Sequence, residues 1–250
     1  MNQIYIVANW KMNTSISDSI NISNMLINSN LDHANINITI CPPTLYIYPV
    51  YQILKNSSFQ IGAQNIYSED NGAFTGEISA RMIKDFCDTV IIGHSERRQI
   101  LKESNQDINQ KFISAKNFNL NSIICVGETI EERETGTAKE IVTKQILSAL
   151  KPVSNFTNTN LMIAYEPVWA IGSGKAATAK DAQNMCIHIR NTISEISEEK
   201  LSQNIPILYG GSVNSDNIKQ FISQPDINGA LIGSASLDPN EFIKLIQKIK

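Results

Sequence analysis

Five short stretches carry the side chains with which this chain could do chemistry. Asn9-Trp10-Lys11 offers a cation, Gly93-His94-Ser95-Glu96 an imidazole beside a carboxylate, and Tyr165-Glu166-Pro167 a second carboxylate. Tyr209-Gly210-Gly211-Ser212 and Gly233-Ser234 are glycine-rich turns, whose backbone N–H groups suit an anion. Each has an ordinary reading when taken singly. Lys11 could be a solvated lysine at a strand end, and His94 a structural histidine bonded to backbone or to Glu96. Glu166 could be half of a rim salt bridge, and the glycines could mark tight turns only. The argument for a site is positional, because all five stretches follow directly on short apolar runs.

Those runs are Ile4 to Ala8, Ile36 to Cys41, Gln60 to Gln64, Thr89 to Gly93, Ser122 to Val126, Leu161 to Tyr165, Ile205 to Tyr209 and Ala230 to Gly233. They are continuously apolar where a half-buried strand would alternate, as expected of parallel strands covered on both faces. Segments of helical period lie between them: Ser17 to Asn28, Asn105 to Asn117, Ala138 to Leu150, Ala179 to Ile196, Asp216 to Ile222 and Pro239 to Ile249. Strand starts fall roughly 25 to 45 residues apart, room for one crossover helix in a βαβ unit of about 30 residues. Eight such units predict an α/β protein, a single eight-stranded parallel β/α (TIM) barrel occupying residues 1–250 as one domain. An open doubly wound sheet uses the same local elements in another strand order, and pattern alone does not separate the two. In a barrel, functional groups gather where strands end and loops begin, which is where the five stretches lie.

Composition narrows the classes further. With 42% hydrophobic residues in 250, the chain can bury one large core. A formal charge of −3, from 24 acidic and 21 basic residues, predicts neither a nucleic-acid nor a membrane surface. The opening Met1-Asn2-Gln3-Ile4 lacks the basic residues of a secretory leader, and no apolar stretch is long enough to span a bilayer. Cys41, Cys87, Cys125 and Cys186 lie far apart without a Cys-x-x-Cys pair, which argues against a disulfide framework or a zinc site. A cytoplasmic location is the expectation.

Gly172-Ser173-Gly174-Lys175 invites a nucleotide-binding reading that fails on detail. Trp169 stands where a P-loop needs its first glycine, and Ala176 where it needs Ser or Thr. Gly172, Gly174 and Ala177 match a dinucleotide fingerprint, but Glu166 to Ile171 separate them from the strand. A lid hinged over a ligand suits the segment better: Pro167, Val168 and Trp169 form a stem, followed by Ala170, Ile171, Gly172, Ser173, Gly174, Lys175, Ala176 and Ala177.

Seven blocks, in order along essentially the whole chain, resemble the triosephosphate isomerase family. They are Ala8 to Asn13; Gly62-Ala63-Gln64-Asn65 with Gly72 to Glu77; Gly93 to Arg98; Cys125-Val126-Gly127-Glu128; Ala164 to Gly172; Tyr209 to Val213; and Gly229 to Leu237. The resemblance implies an isomerase acting on a triose phosphate in glycolysis and gluconeogenesis, without metal or coenzyme. It implies Glu166 as the base and His94 as the electrophile that polarises the carbonyl. Lys11, with Asn9 beside it, would be the cation near phosphate and enolate, and Glu96 would support Lys11 and His94. Backbone amides of Gly172, Ser212, Gly233 and Ser234 would hold the phosphate. Proton removal next to a carbonyl does need a base and a donor to the enediolate oxygen. Ser95 is expected to cap a helix from Glu96 and so favour a neutral His94; this family is itself the reference case for a neutral electrophilic histidine and for loop closure.

Three positions depart from the pattern. Ser173 and Ala176 stand where the lid commonly has Thr, and Ser234 where the phosphate loop commonly has a second Gly, a cost if that position needs positive φ. The long segment Asn65 to Glu77 carries Phe74 and Thr75, and the resemblance implies a homodimer in which it enters a pocket of the second subunit. Glu77 and Arg98 are candidates for an ion pair supporting it. A barrel acting on another phosphorylated substrate, and one kept only as a binding scaffold, are the alternatives.

Overall fold

The computed structural model describes residues 3–29, 31, 35–150, 160–171 and 177–249. Eight parallel strands close on themselves: β1 (Ile4–Asn9), β2 (Ile36–Cys41), β3 (Gln60–Ala63), β4 (Thr89–Ile92), β5 (Asn121–Val126), β6 (Leu161–Tyr165), β7 (Ile207–Tyr209) and β8 (Gly229–Ile232). Closure is direct, since β1 pairs with β2 from Ile4↔Ile36 onward and with β8 from Tyr5↔Gly229. The barrel therefore replaces the open-sheet alternative.

Both faces of each strand are covered, which accounts for the unbroken apolar runs. Val7, Cys41, Ile91, Ile123, Cys125, Met162, Ala164, Leu208 and Leu231 pack together as one cluster inside the barrel. Their neighbours, such as Ile6, Ile40, Ile92, Ile124, Ile163 and Ile232, join the larger core shared with the helices. All four cysteines are buried and unpaired.

The helices are α1 (Ile16–Asn28), α2 (Ile47–Leu54), α3 (Ala80–Ile83), α4 (Ser95–Gln99), α5 (Asn105–Asn117), α6 (Ile130–Glu134), α7 (Ala138–Leu150), α8 (Ala179–Ser194), α9 (Glu199–Asn204), α10 (Ile218–Ile222) and α11 (Pro239–Lys248). Ser15 with Asp18, Ser104 with Asp107, Thr129 with Glu132 and Thr178 with Asp181 form capping boxes that start α1, α5, α6 and α8. Each satisfies backbone donors that a helix start leaves unpaired.

The differences from the sequence expectation are local. β7 starts at Ile207, two residues late, because Ile205 ends α9 and Pro206 has no N–H for the ladder. The helix expected from Asp216 starts at Ile218, since the Asn214 carboxamide oxygen accepts from the N–H groups of Asp216 and Asn217 and holds a turn there. α3, α4, α6 and α9 are too short to show a helical period. α2 holds Pro49 in its first turn, where the missing N–H disturbs nothing.

Candidate active site

The inward side-chain period of the strands builds the mouth. One step of two residues beyond the last inward apolar position gives Asn9 after Val7, Gly93 after Ile91, Gly127 after Cys125, Glu166 after Ala164, Gly210 after Leu208 and Gly233 after Leu231. This layer carries the Asn9 and Glu166 side chains among glycines: a Cβ at Gly93 would meet Ile108 of α5 at 2.7 Å and one at Gly127 would meet the Glu166 carbonyl, while one at Gly233 would come no nearer than 3.4 Å to Lys11 Cε. A cleft of about 690 Å³ lies over it, lined among others by Asn9, Lys11, His94, Glu166, Gly211 and Ser234. At Gly210 the space is already taken, since a Cβ there would stand 2.9 Å from Glu166 Cγ.

Glu166 is almost wholly buried and is held from β4's end. Its Oε2 accepts the Ser95 backbone N–H at 2.8 Å, and its Oε1 lies 2.9 Å from His94 Nε2. Burial raises the Glu166 carboxyl, but His94, the Ser95 N–H and Lys11 outweigh it and leave the group below the ordinary carboxylate value. For His94, burial pushes the imidazole down, while the carboxylates of Glu166 and then Glu96 pull it up by more. The two directions describe one contact from its two sides.

The cap expected of Ser95 belongs to His94. His94 is the N-cap of α4, and its Nδ1 accepts the Glu96 backbone N–H at 3.3 Å. Ser95 is already inside the helix, with its N–H turned to Glu166. An accepting Nδ1 leaves the proton on Nε2, which then donates to Glu166. Neutrality at His94 is thus favoured by the ring's own bond to the backbone, with Glu166 as the opposing influence.

Lys11 reaches the same mouth from β1. Its Nζ donates to Glu96 Oε1 at 2.6 Å, and Glu96 Oε2 lies 3.5 Å from His94 Nδ1, so one carboxylate stands beside both groups. Lys11 has φ +53, a left-handed conformation unusual for a residue with a side chain. Two bonds hold it: its N–H donates to Asn9 Oδ1 at 3.1 Å, and its carbonyl accepts from Gln64 Nε2 at 2.9 Å. Neither Gln64's role nor the strained backbone was visible in the sequence.

Ser212, Gly233 and Ser234 also line the cleft, Gly233 beside the Lys11 side chain. Ser234 begins a 3-10 turn, Ser234–Ser236, and is not among the described residues with positive φ, so the steric cost feared for serine there does not arise. Ser212 Oγ donates to Ala170 O at 3.0 Å, which ties this wall to the stem of the expected lid. In that stem Val168–Ala170 form a 3-10 turn, and Trp169 Nε1 donates at 2.8 Å to Oε1 of Glu128, a buried carboxylate that also accepts from Tyr165 OH. The Arg133 guanidinium covers the Trp169 ring at 4.4 Å. Gly172, Ser173, Gly174, Lys175 and Ala176 lie outside the described residues; Ile171 lines the cleft and Ala177 is buried.

A second groove, of about 470 Å³, opens behind Lys11 and His94, with Met12, Glu77, Arg97, Ile100 and Leu101 on its walls. Met12 is 95% and Ile100 73% exposed. Phe74 is partly exposed and tilts against Tyr67 of its own segment, ring centroids 4.8 Å apart. Arg98 does not serve the expected pair with Glu77. It turns inward, donating to Gly93 O, Asn105 Oδ1 and Cys125 O, while its neighbour Arg97 faces the groove. Successive residues of a helix point about 100° apart, so only one of the two arginines can face outward.

Among the described residues, no cluster of three or more His, Cys, Asp or Glu is arranged to hold a metal ion, and no helix is long and apolar enough to cross a membrane. The closed barrel, with carboxylate, imidazole and cation at the C-terminal ends of its strands, defines a β/α-barrel enzyme with acid–base groups. The family model of triosephosphate isomerase matches residues 4–249. Similar proteins bearing that name include one from Dictyoglomus thermophilum, 44% identical over 99% of this chain and 100% of its own length. Others come from Carboxydothermus hydrogenoformans, 43% identical over 99% of both chains, and from Dehalococcoides mccartyi, 43% identical over 99% of this chain and 97% of its own. The chain belongs to the triosephosphate isomerase family.

Proposed function

We propose that this chain interconverts D-glyceraldehyde 3-phosphate and dihydroxyacetone phosphate through an enediolate, serving glycolysis and gluconeogenesis. The observation that carries the proposal is the buried Glu166 carboxylate in contact with His94 and lining one cleft with it and Lys11. Phosphate is bound by the backbone amides of Ser212, Gly233 and Ser234, with Gly172 contributed by the lid. The substrate carbonyl lies between His94 Nε2 and Lys11 Nζ. Glu166 leaves Ser95 and His94, takes a proton from the carbon next to the carbonyl, and returns it to the neighbouring carbon as the carbonyl shifts. His94 then loses the stronger of the two carboxylate influences that pulled its imidazole upward, while Nδ1 keeps its backbone donor. It therefore acts as a neutral donor to the developing oxyanion. Fixed donors already face that oxygen, so the chemistry requires no metal or coenzyme.

Residues Pro167 to Ala177 act as a lid that excludes water and limits loss of phosphate from the enediolate. The protein works in the cytoplasm as one barrel domain per chain, assembled into a homodimer. The exposed Met12, Ile100 and Leu101 beside the Lys11 groove support that assembly, as an apolar face that a second copy's Phe74 and Thr75 would cover. Glu77 and Arg97 provide its polar edge.

A coupled assay of the purified protein tests the activity: conversion of glyceraldehyde 3-phosphate with no turnover of larger sugar phosphates is expected. Preference for a larger sugar phosphate overturns it. Sedimentation at micromolar concentration tests the dimer, with Thr75→Glu shifting the parent toward a poorly active monomer. A fully active parental monomer would remove the dimer and leave the isomerase.

A further inference from the structure

The carboxamide of Gln145, on α7 outside the barrel, commits both of its ends to one residue. Its Nε2 donates to Gly127 O at 3.0 Å, and its Oε1 accepts the Gly127 N–H at 2.8 Å. Gly127 is the first residue beyond β5, where the ladder to β6 has just finished with Glu166 N–H donating to Val126 O at 2.8 Å. A side-chain amide thus takes the place of the neighbouring strand that would otherwise hold this peptide.

What Gly127 touches gives the clamp its meaning. A Cβ on Gly127 would fall 1.7 Å from Glu166 O, so the two main chains lie in direct contact. Wherever the Gly127 peptide rests, the backbone of Glu166 must follow. No side chain of its own anchors Gly127, and packing from behind is incomplete. A cavity of about 260 Å³ opens at this point, bordered by Gln145, Gly127, Arg98, Thr129, Val168 and Glu166. The anchorage of α7 itself does not depend on Gln145, because Val142, Ile146, Ala149 and Leu150 are buried in the core.

We infer that Gln145 is a positioning residue for the base, setting the height and tilt of Glu166 through the Gly127 peptide. It touches neither substrate nor reacting atoms. On the other side Glu166 is bounded by β7's end, where Gly210 N–H donates to Tyr165 O at 2.7 Å. Releasing the clamp lets the carboxylate back away toward the cavity and leaves the phosphate wall untouched. Loss is therefore confined to turnover.

The inference rests on Glu166 being the base, and the experiment keeps the two apart. In Gln145→Met, which keeps size and removes both bonds, kcat should fall about tenfold to a hundredfold, the range an error near 1 Å in a reacting group produces. Competitive inhibition by inorganic phosphate should stay within about twofold of the parent, because no phosphate-binding group has moved. Gln145→Glu supplies the second arm. An ionised carboxylate accepts from Gly127 N–H but repels Gly127 O, whereas a protonated one restores both bonds. Its kcat relative to the parent should rise several-fold, roughly three or more, as pH falls from about 8 to about 5.5. Thr143→Val, which removes the bond from α7 to His188, controls for damage to the helix and should leave kcat unchanged.

Parental kcat in Gln145→Met overturns the inference, and so does a loss in kcat matched by an equal loss of phosphate affinity. If Gln145→Met does not fold, a pH-independent ratio in Gln145→Glu overturns it. Full activity in Glu166→Gln would instead strike the base assignment on which the inference stands.

Discussion

The two ends of the barrel each bury a charge, and they hold it by different means. At the N-terminal end Arg190 of α8 donates from Nε to Asp226 at 2.7 Å, and from its terminal nitrogens to Ser202 O, Ile205 O and Asn228 Oδ1. Asn228 also accepts the first N–H of β7, and Gln183 brackets Asp226 from the other side. Every partner belongs to the main chain or is itself pinned. At the C-terminal end Glu166 has His94 Nε2 and the Ser95 N–H, and a donor on an arriving ligand can replace either. The charge with no proposed part in the chemistry is saturated by carbonyls and pinned side chains; the proposed base has few partners, each of them exchangeable.

The largest expected effect breaks the mobile end. Glu166→Gln should keep the Ser95 bond, the fold and phosphate binding, yet lose about 10² to 10⁴-fold in turnover, the usual worth of general base catalysis. Half the parental kcat would remove Glu166 as base. The static end should answer with stability alone. Arg190→Met strands Asp226 and several carbonyls, and a broken buried pair costs about 3–5 kcal/mol, read as a lower urea midpoint with the folded fraction turning over normally. Loss of kcat without loss of stability would erase the distinction between the ends.

Lys11→Met should be intermediate. A hydrogen bond to a charged group contributes about 1.5–3 kcal/mol, so phosphate inhibition should weaken roughly tenfold to a hundredfold, with kcat falling alongside. Unchanged phosphate affinity would move Lys11 out of the phosphate's reach. The smallest effect is a titration. Glu166 stands below the ordinary carboxyl value in the folded protein. A depressed carboxyl adds stability above its unfolded pKa of about 4.3, and that stability is lost as pH falls through the lower folded value. Carbon-13 NMR of labelled glutamate should find the Glu166 midpoint below the ordinary glutamate value, returning upward in a His94→Gln variant.

The sequence was most readable where one physical requirement covered many residues. Parallel strands wrapped on both faces must be apolar throughout, so Ile36 to Cys41 and Leu161 to Tyr165 announced themselves to the residue. Because strand ends point functional groups into the mouth, Lys11, His94 and Glu166 were visible as well. Features made by one tertiary contact were not. That His94 caps α4 by itself depends on its ring turning back to Glu96 N–H, a choice set by Glu166 from another strand. Whether Arg97 or Arg98 faced outward was fixed by the carbonyls of Gly93 and Cys125, which no spacing reveals. The Gln145–Gly127 clamp joins residues eighteen apart through one pair of bonds and leaves no periodic trace.

The left-handed backbone at Lys11 sets two kinds of selection against each other. Holding a residue with a Cβ in that region costs roughly 1–2 kcal/mol, a cost glycine escapes. In a mutant library screened only for survival of heat, Lys11→Gly should therefore be enriched, since relief of the backbone outweighs loss of the part-exposed Lys11–Glu96 pair, worth about 0–1 kcal/mol. In the same library screened for growth on triose phosphate flux it should vanish. On the proposed chemistry, position 11 is thus a point where a lineage released from catalytic demand would drift first.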